Sequence, residues 1–129
     1  MNSLVLDASA LLALLHSEDG SEEVRRALKT LRCLISSVNL AETAARLADR
    51  GVPAEIVREA LAAIDMEVVE FRFVHALLSG ELRPLTRGSG LSLGDRACLA
   101  TAKIAGAAIL TTDRAWASLD LGLDIRVIR

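Results

Sequence analysis

Four carboxylates in this 129-residue chain stand where the surrounding pattern gives an acid something to do: Asp7, Glu42, Asp95 and Asp113. Asp7 ends the apolar run Leu4-Val5-Leu6 and precedes a stretch of helix formers from Ala8 to Leu15. It is expected at the carboxyl end of a buried strand and the amino end of a helix, where the helix dipole favours an anion. Asp113 repeats the arrangement after Ala108-Ile109-Leu110-Thr111. Two such acids from different strands of one parallel sheet can converge at its carboxyl edge. Asp95 closes Ser92-Leu93-Gly94-Asp95, a capping-box pattern. Glu42 shares a helical side with Asn39, Arg46 and Asp49 and can pair with Arg46 at i,i+4. Each acid also has a plainer reading taken singly: Asp7 and Asp95 as helix caps, Glu42 as a surface residue.

Carboxylates without histidine or thiolate partners suit hard cations. Magnesium prefers oxygen, keeps several of its waters and takes one or two direct protein carboxylates, and manganese accepts the same donors. Such an ion lowers the pKa of a bound water and screens charge on a phosphodiester, and it makes clustered acids tolerable. Other chemistries lack their residues. His16 and His75 have no zinc-site spacing and read as ordinary surface or core histidines, and the chain holds no glycine-rich phosphate loop, Gly-x-Ser-x-Gly elbow or Cys-x-x-Cys pair. A dehalogenase-like phosphatase needs a second acid two residues after the first, where Ser9 stands, and the acid placement of a phosphorylated receiver domain is missing too.

The elements that must position these acids follow from periodicity. Strands are expected at Leu4 to Leu6, Cys33 to Ser36, Met66 to Phe71, Ala108 to Thr111 and Asp124 to Ile128. Amphipathic helices are expected over Ala8 to Leu15, Ser21 to Leu31, Val38 to Arg50 capped by Ser37, Ala54 to Ile64 opened by Pro53, Val74 to Leu82, and Ser92 to Ala105 ended by Gly106. The helices on either side of Gly51 suggest a hairpin at the sheet's edge. Arg83 to Gly90, with Pro84, Gly88 and Gly90, reads as a mobile loop. Strands alternating with helices predict an α/β sandwich with a mostly parallel central sheet, in one domain over residues 1–129.

Composition narrows the function classes. Hydrophobic residues make up 52%, rich enough for a core with apolar surface left over for a partner. Aromatics are only 2%, so a surface of stacking platforms for bases would lack its main component, and a net charge of −2 argues against coating nucleic acid by bulk electrostatics. Any nucleic-acid contact must work through phosphate and metal. Cys33 and Cys98 sit among apolar neighbours and are expected as buried free thiols of a reducing compartment. The start of the chain does not read as a secretion signal and no apolar run nears the roughly 20 residues of a membrane span, so a cytoplasmic protein without membrane contact is expected.

Taken together, Val5-Leu6-Asp7-Ala8-Ser9-Ala10, Ser36-Ser37-Val38-Asn39-Leu40-Ala41-Glu42, Leu91-Ser92-Leu93-Gly94-Asp95-Arg96 and Ile109-Leu110-Thr111-Thr112-Asp113 resemble the motifs of PIN domains, especially VapC toxins. Each motif is weak alone; the ordered set is specific and spans essentially the whole chain. The resemblance implies a three-layer α/β/α PIN-like fold and a Mg²⁺- or Mn²⁺-dependent endoribonuclease. In that reading Asp7, Glu42, Asp95 and Asp113 match the family's acidic quartet, and Ser9 and Thr111 match its accompanying hydroxyls. It further implies an RNA substrate, a cognate VapB-type antitoxin and a homodimer. The alternatives are an RNA-processing PIN nuclease that is not a toxin and a catalytically silent PIN module that binds protein. Arg96 and Arg114 flank quartet members and, with Arg83 or Arg87, are candidates for phosphate contacts. A further acid that some PIN domains carry after the last motif is missing from Arg114-Ala115-Trp116-Ala117, which weakens the case for a second full metal site.

Overall fold

Short apolar runs become the inner strands, as their lack of polar alternation requires of a sheet covered on both faces. A computed structural model describes residues 2–129 and contains β1 (Ser3–Leu6), β2 (Arg32–Ser36), β3 (Glu67–Val69), β4 (Ala108–Thr111) and β5 (Ile125–Val127). They form one sheet in the order β3-β2-β1-β4-β5 with every pairing parallel. β1 lies at the centre, and the chain builds outward from it first to one side and then to the other. The carboxyl ends of β1 and β4 therefore flank a topological switch point, where parallel sheets open a crevice for ligands.

Alternate strand residues feed two cores. Val5, Leu34 and Ile109 pack with Leu82, Cys98, Leu99 and Trp116 on one face. Leu4, Leu6, Cys33 and Leu110 pack with Ala10, Val24 and Ala27 on the other. The covering helices are α1 (Ala8–Leu15) and α2 (Ser21–Thr30) on the second face, and α5 (Phe73–Thr86) and α6 (Leu93–Ala105) on the first. The result is the expected three layers. α3 (Ser37–Asp49) packs against α1 and α6, and α4 (Ala54–Ala62) packs back on α3 as the anticipated hairpin. Both cysteines are buried and unbridged. No helix among the described residues is long and apolar enough to cross a membrane.

Three expectations need correction. The segment from Arg83 is not a loop: α5 runs through Pro84 to Thr86, and residues Arg87–Ser89 form a 3₁₀ turn. Proline inside a helix forfeits one backbone hydrogen bond. Here its ring faces solvent, while Leu82 and Thr86, one turn apart, are both buried, and the Thr86 hydroxyl donates to the Leu82 carbonyl at 2.8 Å. Packing of that turn outweighs the local penalty. The cap of α3 is Ser36, whose Oγ accepts from the Val38 N–H at 3.2 Å; Ser37 Oγ instead accepts from the Phe71 N–H at 3.0 Å and ties α3 to the chain after β3. Finally, the first edge strand is Glu67–Val69, shorter than the β-favouring run around it.

Candidate active site

Asp7 closes β1 and caps α1. Its Oδ1 accepts from the backbone N–H of Ser9 and, at 3.2 Å, from that of Ala10, so the plain reading of a cap is correct. Its Oδ2 does a second job, accepting from the Thr111 hydroxyl at 2.6 Å. That hydroxyl oxygen in turn accepts from the Asp113 N–H at 3.0 Å, and Ser9 Oγ accepts from the Thr112 N–H at 3.0 Å. The ends of β1 and β4 are thereby laced together by the residues that carry the two hydroxyls. Asp7 is 5% exposed. Burial raises its pKa above the ordinary carboxylate range, and the hydrogen bonds from Ser9, Thr111 and Ala10 oppose that rise only in part.

Asp95 is the third residue of α6 and completes the capping box: its N–H donates to Ser92 Oγ at 3.1 Å, and its Oδ2 accepts from the Ser92 N–H at 2.9 Å. Asp113 is exposed and caps the 3₁₀ turn Arg114–Ser118, with Oδ1 accepting from the Ala115 N–H at 3.0 Å. Glu42 comes from the middle of α3. Among the described residues it makes no ion pair with Arg46; Oε1 instead accepts from Asn39 Nδ2 at 2.8 Å, and the carboxylate lies over Gly94, where a Cβ would collide with it. It is a half-buried acid turned inward, and not the surface residue that its position taken singly suggested.

All four acids line one open cleft of about 420 Å³, together with Ser9, Asn39 and Ser92. The buried thiol of Cys98 registers their convergence from below: burial drives its pKa well up, and the charges of Asp7, Asp95 and Glu42 push the same way. The amino ends of α1 and α6 both open at this cleft and offer positive dipole ends to an anion. A larger hollow of about 590 Å³ lies at the other end of the sheet, and its only acid, Asp124, is paired with Arg126 at 2.9 Å. No set of groups converges there.

The arginines differ from expectation. Arg96 reaches α5, with Nη1 donating to the Ser79 carbonyl at 3.0 Å, and Arg114 Nε donates to the Arg129 carbonyl at 3.1 Å; neither lines the cleft. Arg83 and Arg87 do not line it either. The cations on its rim are Arg46, Arg50 and Arg129, of which Arg129 is shared with Glu18 at 3.3 Å. Helical spacing from Glu42 could have found Arg46 on α3 and Arg50 at its C-cap.

The donors suit a hard divalent ion. They are oxygens, and fully ionised the four acids carry four negative charges. Among the described residues no three His, Cys, Asp or Glu side chains are gathered tightly enough to cage an ion alone. An ion held here would take one or two of these carboxylates directly and need water for the rest of its shell.

A parallel α/β sandwich with an acidic, metal-compatible cleft at its switch point is the class that fold and site define. Within that class the chain belongs to the PIN domain family, whose profile matches residues 4–121. Solved structures agree on the fold. A VapBC complex from Salmonella typhimurium, determined bound to DNA, has 21% identity and a TM-score of 0.77, with 100% of each chain covered. A toxin–antitoxin complex from Klebsiella pneumoniae has 18% identity and a TM-score of 0.76 over 98% of each chain. VapC20 from Mycobacterium tuberculosis, described as a sarcin-ricin loop cleaving toxin, has 16% identity and a TM-score of 0.71 over 94% of this chain and 98% of its own. No curated protein sequence matches the chain significantly.

Proposed function

We propose that this chain is a divalent-metal-dependent endoribonuclease and the toxin of a VapBC-type pair. The observation that carries the reading is the meeting of Asp7, Glu42, Asp95 and Asp113, drawn from four separate parts of the chain, in one cleft at the carboxyl ends of β1 and β4. The fold shared with VapBC complexes and with a loop-cleaving VapC supports it. In this reading the four acids hold Mg²⁺ or Mn²⁺, some directly and some through water. When bound, the ion supplies an acidified water and screens the charge that grows on the phosphodiester.

The chain's own residues do the rest. Ser9 and Thr111 fix the Asp7 carboxylate against the repulsion of its neighbours, and the capping box fixes Asp95. Arg46 and Arg50, exposed together on one rim of the cleft, receive backbone phosphates and guide a polyanion past an acidic centre. With few aromatics to stack on bases, selectivity rests on RNA shape and backbone. The apolar groove between α3, α4 and β3, lined by Leu40, Ala44, Val57, Leu61 and Ile64, together with the exposed Phe73, Val74 and Leu77 of α5, provides surface for an antitoxin and a second copy.

The test is to incubate the purified chain with total RNA and Mg²⁺ or Mn²⁺ and to map the new ends. Discrete cleavage that EDTA and Asp7→Asn both abolish is expected. Intact RNA under every metal condition, with the protein folded, would refute the nuclease reading.

A further inference from the structure

We infer that Asn39 and Gly94 form a seat that holds the Glu42 carboxylate in its metal-binding position. This deepens the metal-site reading proposed above and rests on it. Asn39 is 1% exposed, and its Nδ2 donates to Glu42 Oε1 at 2.8 Å and to the Gly94 carbonyl at 2.9 Å. Both partners can only accept, so the orientation of the amide is fixed: turning it over would set oxygen against oxygen. That orientation leaves Oδ1 buried without a donor. An apolar side chain here would spare the molecule the unmet acceptor, so the asparagine is explained by what its NH₂ group does, which is to join α3, Glu42 and the start of α6.

Gly94 supplies the other half. Its backbone is not among those with positive φ, so nothing about chain conformation calls for glycine at this position. What the missing side chain provides is room, since a Cβ built there falls on Oε1, Oε2 and Cδ of Glu42. The seat also settles a competition. Arg46 lies one turn along α3 from Glu42 and has no acidic partner among the described residues, so a displaced Glu42 has an i,i+4 cation to swing toward. With the seat intact, the carboxylate stays over the first turn of α6, next to Asp95.

Asn39 and Gly94 are thus positioning residues, and Mn²⁺ affinity measured by titration calorimetry tests them. Gly94→Ala and Asn39→Ala are each made in the Glu42 chain and in a Glu42→Gln chain, with thermal melts in EDTA as a check on folding. In the Glu42 chain either substitution is expected to weaken Mn²⁺ binding by about 10-fold or more, as loss of a ligand's orienting partner does. In the Glu42→Gln chain the same substitutions should change affinity by less than about twofold, because the group they position has already lost its charge. Gly94→Ala adds a helix-favouring residue and displaces only the end of a flexible side chain, so it remains decisive even if Asn39→Ala fails to fold. Unchanged affinity in Gly94→Ala, or an equal loss in both backgrounds, overturns the seat alone. A wild-type chain that binds no Mn²⁺ overturns the metal reading as well.

Discussion

Replacing Asp7 by asparagine and, separately, by alanine parts its chemistry from its structural work. Both changes remove the same buried charge, so that term cancels when the two variants are compared. Asparagine keeps an Oδ1 for the N–H groups of Ser9 and Ala10 and offers the Thr111 oxygen an N–H in place of an acceptor, reversing that bond, whereas alanine loses all of these. Loss of a helix cap costs about 0.5–2 kcal/mol, and a buried hydroxyl deprived of its partner costs about 1–3 kcal/mol. Asp7→Ala should therefore be less stable than Asp7→Asn by about 2–4 kcal/mol, or roughly 6–16 °C in melting temperature for a domain of this size.

The sign of the charge term itself follows from linkage. Burial raises the pKa of Asp7, so the folded protein holds that proton more tightly than the unfolded chain. The ionised carboxylate destabilises the fold fully above the raised pKa, and the penalty fades as pH falls toward the ordinary carboxylate range. In EDTA, Asp7→Asn is thus expected to melt at or above the wild-type temperature near neutral pH, with the gap closing under acid conditions. Circular-dichroism melts across pH, run beside RNA cleavage assays, provide both readouts. An Asp7→Asn protein that is unfolded, or that still cleaves at the wild-type rate, refutes the reasoning.

Other outcomes follow from the same structure. Pro84→Ala restores a backbone donor inside α5 at a solvent-facing position and should stabilise the protein by up to about 3 kcal/mol in urea unfolding; a loss of stability would show that the ring is needed there. Trp116→Phe reduces the volume of a fully buried side chain but also removes an indole N–H with no partner, so its net cost should stay below about 1.5 kcal/mol by chemical denaturation. Burial, then the charge of Asp65, pushes the Cys33 thiol up to about 11, and burial drives Cys98 well above the ordinary thiol range. Neither should react with iodoacetamide at mildly alkaline pH until the chain is unfolded, and rapid labelling of the native protein would contradict their placement. Arg46→Ala with Arg50→Ala should weaken RNA binding, with the loss shrinking as salt rises, while leaving Mn²⁺ affinity in place.

The acids were legible in sequence where local pattern and site coincide. Asp7 and Asp113 follow apolar strands, and Asp95 completes a capping box, so each declared both its element and the end of the element it occupies. Ser9 and Thr111 were found through motif resemblance, and the structure gives the reason for them: their hydroxyls lace β1 to β4. What stayed hidden depends on contacts between distant segments. The Asn39 amide acts across 55 residues on the Gly94 carbonyl, and the space where a Gly94 side chain would start is taken by the Glu42 carboxylate. Arg96 looked like a substrate contact because it follows Asp95, yet successive residues on a helix point about 100° apart, and Arg96 turns to α5. Pro84 misled for the opposite reason, since local propensity yielded to the burial of Leu82 and Thr86.

The central place of β1 sets an order on biosynthesis. β1 pairs on one side with β2, which follows it closely in the chain, but its other edge waits for β4, and the Thr111–Asp7 bond closes a span of 104 residues. A nascent chain can already carry Asp7, Glu42 and Asp95 while Asp113 and the hydroxyl that steadies Asp7 are still being translated. The cleft is incomplete while the polypeptide is half made, so the topology assembles all four acids around it only when nearly the full length of the domain has emerged.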